Sequence, residues 1–140
     1  MNNQCVFCKI ARKELPADIT HEDEDFLAFL DINPVNRGHT LLIPKSHYAN
    51  LYDLSDETIS KMSVLMKKIA ASVKRAAKAD GINLIMNVEG AAGQIVPHAH
   101  FHIIPRFSND GLRHWPGKPY ANKEESAEMA NAIRRIAYSQ

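Results

Sequence analysis

The sequence predicts a single α+β domain, in which an antiparallel meander sheet packs with one long helix, a short N-terminal helix and a C-terminal helix. Two segments carry apolar residues at helical spacing, whereas short apolar runs elsewhere are bounded by turn residues. No repeat, low-complexity stretch or linker composition divides the chain. Helices mixed with an antiparallel meander are typical of the α+β class, and 140 residues suffice for one hydrophobic core. We therefore expect one domain over residues 1–140.

The N-terminal part of the chain predicts one short helix and three strands. Residues 6–13 favour a short helix, which the pair Leu15-Pro16 ends. An acidic turn at 22–25 and a loop containing Asn33-Pro34 and Arg37-Gly38 separate the strands. The predicted strands cover residues 19–21, 26–29 and 39–44, and a proline closes the last of them.

A long helix over about residues 56–78 has the clearest pattern. Ser55 suits its N-cap, and Gly81 is expected to supply the left-handed residue that stops it. Its apolar positions are spaced by three and four residues, so they form one buried stripe. The stripe consists of Ile59, Met62, Leu65, Met66, Ile69, Ala70 and Val73.

The remaining chain predicts two more strands and a last helix. The strands cover residues 82–88 and 96–105, and a glycine-rich turn at 90–93 joins them. The last helix is expected to begin near Asn122 and to bury Met129, Ile133 and Ile136.

Charge and hydropathy exclude several classes of protein. The chain has 17 basic and 16 acidic side chains, a net charge of +1 and no basic block, so nothing favours nucleic acid or a membrane surface as a partner. The apolar runs are too short to span a bilayer. Residues 1–4 do not begin a basic region followed by an apolar stretch, so we expect no secretory signal and a cytoplasmic protein.

Three histidines alternate in the strand predicted at 96–105. Because strand side chains alternate between faces, His98, His100 and His102 share one face, with neighbours ~6.7 Å apart. Such a row can surround a phosphate, with one imidazole attacking phosphorus and the others donating to its oxygens. The pattern also fits a metal-binding row or a polar face without chemistry. Three residues on the other face are expected to meet the core: Ala99, Phe101 and Ile103.

The segment before these histidines favours the phosphate interpretation. Residues 93–96 offer backbone N–H groups in a flexible turn, which suits an anion. Asn87 and Gly90 lie at the other side of the same turn.

The two cysteines, Cys5 and Cys8, have the spacing C-x-x-C. A disulfide between them is not expected in a reducing compartment. The spacing alone fits a redox pair, half of a metal site or two unrelated thiols.

The segment His98-Ala99-His100-Phe101-His102-Ile103-Ile104 resembles the signature His-φ-His-φ-His-φ-φ of the histidine triad (HIT) superfamily, in which φ is apolar. The resemblance covers about residues 5–105 and implies the HIT fold, with residues 106–140 as a C-terminal extension. Further segments resemble Hint-type and bacterial HIT proteins, namely residues 6–10, 14–17, 28–34, 38–45 and 87–105.

The resemblance implies a role for each matching residue. His100 is the nucleophile, His102 binds the phosphoryl oxygens, and His39 faces the triad from a neighbouring strand. Asp31 accepts hydrogen bonds from the ribose hydroxyls. The phosphate turn is formed by Asn87, Gln94, Ile95 and Val96. The apolar base pocket is formed by Phe7, Ile10, Phe29 and Ile32, for which plain core packing is the alternative.

A zinc site is also implied. Cys5 and Cys8 need two more ligands for a closed tetrahedral site, and the resemblance implies that His47 and His98 supply them. The zinc would be structural, and His98 would orient His100 without acid–base work. The alternative is two core thiols and a surface His47.

The function implied is that of a homodimeric hydrolase, which releases a nucleoside monophosphate through a nucleotidyl intermediate on His100. Purine nucleotides are the expected substrates, AMP the product, and an amine, a second nucleotide or an acyl group the leaving group. Ile95 replaces a serine that assists the leaving group in some Hint-type proteins, which weakens the case for amines. His102 replaces the glutamine of the related uridylyltransferases, which favours hydrolysis over transfer. The alternatives are a nucleotide-binding regulatory or scaffold protein and a metal-binding module.

Overall fold

A computed structural model describes residues 4–139. The chain begins with α1 (Val6–Ala11), followed by β1 (Ile19–Glu22), β2 (Phe26–Leu30) and β3 (Thr40–Pro44). After a 3-10 turn at Leu51–Asp53 come α2 (Asp56–Ala77) and β4 (Gly81–Ile85). A second 3-10 turn at Gly90–Ala92 precedes β5 (Phe101–Arg106) and α3 (Lys123–Ala137). These elements confirm the predicted α+β class. Over the described range, no helix combines the length and the apolar character needed to cross a bilayer.

The strands form one antiparallel sheet in the order β1-β2-β3-β5-β4. β1, β2 and β3 form a meander, with Ala28 opposite Leu42. β5 then pairs with β3, where His102 lies opposite Leu41, although α2 and β4 come between these strands in the chain. This pairing places His102 in the interior of the sheet, beside the strand that follows His39.

Alternate residues of β2 and β3 fill two separate cores. Ala28 and Leu42 belong to the core that contains α2, whereas Leu27 and Leu41 belong to the core that contains α1. Successive strand residues point to opposite faces, so covering both faces of the sheet buries every residue of β3 and most residues of β2. As expected, residues 99, 101 and 103 meet the α2 core, with Ala99 and Ile103 buried in it and Phe101 packed against it.

α2 begins and ends where the sequence predicts, but a different residue takes the left-handed position after it. The Ser55 side chain accepts a hydrogen bond from the Thr58 N–H at 3.1 Å, which confirms the predicted N-cap. The left-handed residue at the end is Lys78, with φ 54°, so the prediction that Gly81 takes this position is wrong. The Ala79 N–H bonds to a carbonyl of the last helical turn at 3.0 Å, which closes the helix before the chain reaches Gly81.

β5 is shorter than predicted, because it begins at Phe101 and not at residue 96. Pro97 has no N–H to donate to a sheet, and the His98 N–H turns back to the Val96 carbonyl at 2.8 Å. The Ala99 N–H bonds to the Tyr48 carbonyl at 2.7 Å, which lies outside the strands. His98 and His100 therefore precede the regular strand, and only His102 lies within it.

The chain divides between Asp110 and Gly111 into two units. The first unit contains α1, the sheet and α2, and the second contains α3. α3 begins at Lys123, close to the predicted start, and Asn122 caps it by accepting from the Glu125 N–H at 2.8 Å. The prediction that α3 buries its apolar residues is wrong, because one helix has no second layer in its own unit to pack against. Met129, Ile133 and Ile136 are 50%, 60% and 68% exposed. A single domain over residues 1–140 stays a prediction.

Candidate functional site

The three alternating histidines lie on the α1 side of the sheet. The Phe7 ring of α1 contacts the rings of His98 and His100, at centroid separations of 5.9 and 5.1 Å. The rings of His100 and His102 are adjacent, with centroids 4.9 Å apart. His39 joins them from the residue before β3, with its centroid 5.1 Å from that of His102. The three histidines share one face, as predicted. The spacing of their rings is set by packing between the rings, because only His102 lies in a regular strand.

A backbone carbonyl defines the reactive nitrogen of His100. Its Nδ1 lies 2.6 Å from the carbonyl oxygen of His98, so Nδ1 carries the proton and donates it. The lone pair on Nε2 is then available. Burial holds the pKa of His100 below its usual value, so the ring is neutral at pH 7. A neutral imidazole with an available lone pair is a nucleophile.

A hydrogen-bond chain defines the protonation of His39 and His102. The Val35 backbone N–H donates to Nδ1 of His39 at 3.1 Å, so the proton of a neutral His39 must be on Nε2. That Nε2–H donates to Nδ1 of His102 at 2.9 Å. His102 therefore keeps its own proton on Nε2, as a donor for a bound anion.

Burial keeps both of these rings neutral at pH 7. It is the main cause that lowers the pKa of His102 to about 4, and the neighbouring His100 and His39 lower it further. Burial also lowers the pKa of His39. The chain from Val35 to His102 therefore has one proton arrangement near neutral pH.

In the described part of the chain, the turn between β4 and β5 contains two adjacent backbone N–H groups without a protein acceptor. Gln94 holds this turn, because its side-chain nitrogen donates to the Ala49 carbonyl at 2.6 Å and its oxygen accepts from the Glu89 N–H at 2.9 Å. Within residues 4–139, the N–H groups of Ile95 and Val96 donate to no protein acceptor. Adjacent free donors of this kind can bind an anion.

Two predicted polar residues retain hydrogen-bonding capacity. Oδ1 of Asp31 accepts from the Asn33 N–H at 2.8 Å, whereas Oδ2 lies 3.7 Å from Nε2 of His39, too far for a hydrogen bond. Oδ2 can therefore accept from a ligand hydroxyl beside the histidines. The Asn87 side chain donates to the Gly93 carbonyl at 3.4 Å, a weak bond that a better acceptor can replace.

The apolar residues predicted for a base pocket separate into two groups. Phe7, Ile10 and Phe29 are buried in the α1 core, which is the core-packing alternative. Ile32 is 90% exposed, so it can contact a ligand without moving core residues. The same holds for Ile95 of the predicted phosphate turn, which is 91% exposed.

The four predicted metal ligands lie together. Cys5, Cys8, His47 and His98 have their ligand atoms within 4.8 Å of one another. The Sγ to Nδ1 separations are 3.4, 3.4 and 3.6 Å, and the two Nδ1 atoms are 3.3 Å apart. A tetrahedral zinc ion with standard bond lengths has S–N edges of about 3.6 Å and N–N edges of about 3.3 Å. The donor types and separations therefore fit zinc.

The protonation of His98 also suits a metal ligand. Its Nε2 lies 2.8 Å from the Pro44 carbonyl oxygen and donates to it, so the Nδ1 lone pair faces the cysteines. Metal-binding histidines typically donate their second N–H in this way.

A second cluster, Asp31, His39 and His102, also has its ligand atoms within 4.8 Å of one another. Its protonation does not suit a metal. A metal on Nε2 of His39 would leave neither ring nitrogen protonated, because Nδ1 already accepts from Val35. The hydrogen-bond chain is therefore the better description of this cluster.

The sequence revealed the side chains of this site but not the backbone groups that orient them. These groups are the Val35 N–H and the carbonyls of Pro44 and His98. Every residue type except proline provides such an N–H, so no signal in the sequence could have identified them.

Comparisons with known proteins give a consistent result. The HIT domain family profile matches residues 12–109. An adenosine 5'-monophosphoramidase from Schizosaccharomyces pombe is 39% identical, over 93% of this chain and 98% of its own length. An adenylylsulfatase from Arabidopsis thaliana is 36% identical, over 96% of this chain and 70% of its own length. The crystal structure of a zinc-bound histidine triad family protein from Mycobacterium smegmatis superposes with a TM-score of 0.75, at 37% identity over 98% of each chain.

Proposed function

Because this chain belongs to the HIT domain family, we propose that it is a nucleotide hydrolase that releases AMP through a covalent intermediate on His100. The observation that carries the proposal is the His100 ring, whose Nδ1 proton is held by the His98 carbonyl at 2.6 Å while Nε2 stays available. Two relatives are an adenosine 5'-monophosphoramidase and an adenylylsulfatase, which supports an adenylyl group as the part transferred.

In the first step, Nε2 of His100 attacks the phosphorus of the nucleotide. The N–P bond forms while the bond from phosphorus to the leaving group breaks. The leaving group departs with the electron pair of that bond, and an amine leaving group takes up a proton from solvent. Positive charge develops on the His100 ring, and the His98 carbonyl stabilises it through the Nδ1 proton. The phosphoryl oxygens accept from Nε2 of His102 and from the N–H groups of Ile95 and Val96.

In the second step, a water molecule attacks the same phosphorus. The N–P bond breaks, the electron pair returns to Nε2 of His100, and the water proton is released as AMP forms. Two successive displacements are each easier than direct attack by water on the substrate, because the imidazole nitrogen is the better nucleophile in the first step.

The sugar and the base lie beside the phosphate in this proposal. Oδ2 of Asp31 accepts from the ribose hydroxyls. It is available for this, because it lies too far from Nε2 of His39 to form a hydrogen bond. Exposed Ile32 offers an apolar surface to the base. Contact with an apolar surface does not read base edges, so this side chain gives little selection among purines.

We further propose that zinc binds Cys5, Cys8, His47 and His98. All four positions of a tetrahedral ion would be filled by protein, so the metal is structural and supplies no open position for substrate. It joins the start of α1 to the segment that carries His100. The zinc-bound relative supports this assignment.

A substrate panel with base-quenched intact mass measurement tests the hydrolase. The protein is incubated separately with adenosine phosphoramidate, adenylyl sulfate, a diadenosine polyphosphate and an aminoacyl adenylate, and AMP is followed by chromatography. We expect AMP release and, during turnover, a mass increase of one adenylyl group that maps to the peptide containing His100. AMP binding without release from any substrate would instead identify a nucleotide-binding regulatory protein.

We expect His39→Phe to lower kcat by about 10- to 100-fold, because His102 then loses the donor that keeps its proton on Nε2. His39→Gln should lose less, since its amide can accept from Val35 and donate to His102. Steady-state AMP release by both variants is the measurement. Equal losses in the two variants would contradict the role of this hydrogen bond in orienting the His102 proton.

A further inference from the structure

Residues 33–38 belong to the loop between β2 and β3, which supplies the Val35 N–H that bonds to Nδ1 of His39. Most of this segment is exposed, and Val35 itself is 48% exposed. An exposed loop needs an anchor to hold one N–H within hydrogen-bond distance of a ring nitrogen. Within the described residues, Asn36 is the one member of this segment whose side chain forms a hydrogen bond. The anchor of the loop is therefore this side chain.

Both amide protons of Asn36 are used. Its Nδ2 donates to the Pro105 carbonyl at 2.9 Å and to Oδ2 of Asp110 at 3.1 Å. These acceptors lie at the end of β5 and in the turn after it, and β5 is the strand that carries His102. The backbone carbonyl of Asn36 accepts from the His39 N–H at 3.0 Å. Asn36 thus joins the loop to β5 and to the backbone of His39.

The Asp110 carboxylate is itself held in place. Its side chain is 7% exposed and forms a two-pronged ion pair with Arg106, with N–O distances of 2.7 and 3.1 Å. The Phe107 N–H donates to the same carboxylate at 3.1 Å. Arg106 in turn donates to Oδ1 of Asn83 in β4 at 2.7 Å. A carboxylate with paired guanidinium donors and a backbone donor has little freedom to move, so it gives Asn36 a fixed partner.

The rings of His39 and His102 can share their protons in two ways. Nε2 of His39 can donate to Nδ1 of His102, or Nδ1 of His102 can donate to Nε2 of His39. The second arrangement leaves Nε2 of His102 without a proton for a phosphoryl oxygen. The Val35 N–H selects the first, because a protonated Nδ1 of His39 could not accept from it. Displacing this N–H would make both arrangements accessible.

We propose that Asn36 and Asp110 are positioning residues, which act on the histidines through the Val35 N–H. By holding this N–H against Nδ1 of His39, they keep the ring proton of His102 on Nε2. The effect on catalysis rests on the proposed hydrolase, whereas the proton arrangement does not. Asparagine has the chemistry that position 36 requires, because its amide provides two donors on a short side chain, whereas an aspartate would provide none.

NMR spectra of the full-length protein at pH 7, which correlate the ring nitrogens of histidine with the ring protons, test the proton arrangement without substrate. In wild type we expect Nδ1 of His39 to be unprotonated and Nε2 to be protonated. Asn36→Ala should populate the other tautomer, so that the two nitrogen shifts of His39 move toward each other and merge at equal populations.

Asp80→Ala is the matched control. It removes the two hydrogen bonds that Oδ2 of Asp80 accepts from Ser108, at 2.8 and 3.1 Å, in the same turn after β5. It leaves the partners of Asn36 in place, so the His39 signals should match those of wild type. Unchanged His39 signals in Asn36→Ala would overturn the proposal, as would an equal change in Asp80→Ala.

A double-mutant cycle tests the route to catalysis. Asn36→Ala alone should lower kcat for AMP release by about three- to tenfold. In the His39→Phe background it should lower kcat no further, because the ring through which it acts is gone. A further loss of the same size in that background would show that Asn36 acts by another route and would overturn the proposal. If wild type releases no AMP, the hydrolase proposal fails, while the His39 signals still decide the positioning role.

Discussion

His100→Ala is expected to reduce kcat/KM for AMP release by about 10⁴-fold or more, the largest effect of any single substitution in this chain. Without Nε2 no N–P bond can form, and water must attack phosphorus directly. Residual rate would come only from binding and from the donors of His102, Ile95 and Val96. Initial rates with adenosine phosphoramidate, followed by chromatography, provide the measurement.

Two controls separate loss of chemistry from loss of structure. His100 is 5% exposed, so the alanine variant leaves a cavity, and His100→Asn fills more of that space without restoring a nucleophile. Both variants should lose activity equally while still binding AMP. His114→Ala, at an exposed position, should keep full activity. Activity within tenfold of wild type in both His100 variants would contradict the mechanism.

Cys8→Ser is expected to remove zinc and to lower the free energy of unfolding by about 4 kcal/mol, the linkage contribution of a ligand present at a thousand times its Kd. Cys8 is fully buried and its Sγ lies within 3.6 Å of Nδ1 of His47 and of His98, the histidines of the proposed site, so a zinc ion there could not have four protein donors without it. A fall in Tm of about 10 °C or more should follow. Metal analysis and thermal unfolding are the measurements.

A chelator provides the matched comparison. It should lower the Tm of wild type toward that of Cys8→Ser and should leave the variant itself unchanged. His47→Ala should lose zinc, whereas His114→Ala and His100→Ala should retain it. Loss of zinc from His100→Ala would place the metal on His100 and its neighbours and would contradict the assignment. A wild type without zinc, whose Tm the chelator does not change, would contradict it as well.

Much of the fold could be predicted, because short-range patterns control it. The spacing of apolar residues located α2, and the cap at Ser55 followed from its side chain. The failures came from contacts that the local sequence does not encode. The chain before Phe101 bonds to Tyr48 and not to a neighbouring strand, so the alternating histidines gave a strand that was too long. Lys78 adopts a left-handed conformation that glycine prefers, so the preference for glycine wrongly assigned this position to Gly81.

The candidate site was predictable to a similar extent. The alternation of His98, His100 and His102 placed them on one face, but by itself it left metal binding and phosphate chemistry open. The family resemblance, and not spacing, indicated His39, Asp31 and the zinc ligands. The structure distinguishes the two kinds of histidine through their ring protons, since His98 directs a lone pair toward the cysteines whereas His39 directs a proton toward His102.

Main-chain groups at Val35, Pro44 and His98 set the proton positions of His39, His98 and His100. Every amino acid has a backbone carbonyl. Substitutions at positions 44 and 98 therefore keep the carbonyls that orient His98 and His100, as long as the backbone conformation is unchanged. At position 35 a single amino acid, proline, removes the N–H. The ring proton positions of these histidines therefore depend on the backbone conformation. Side chains around the site can change widely without altering them.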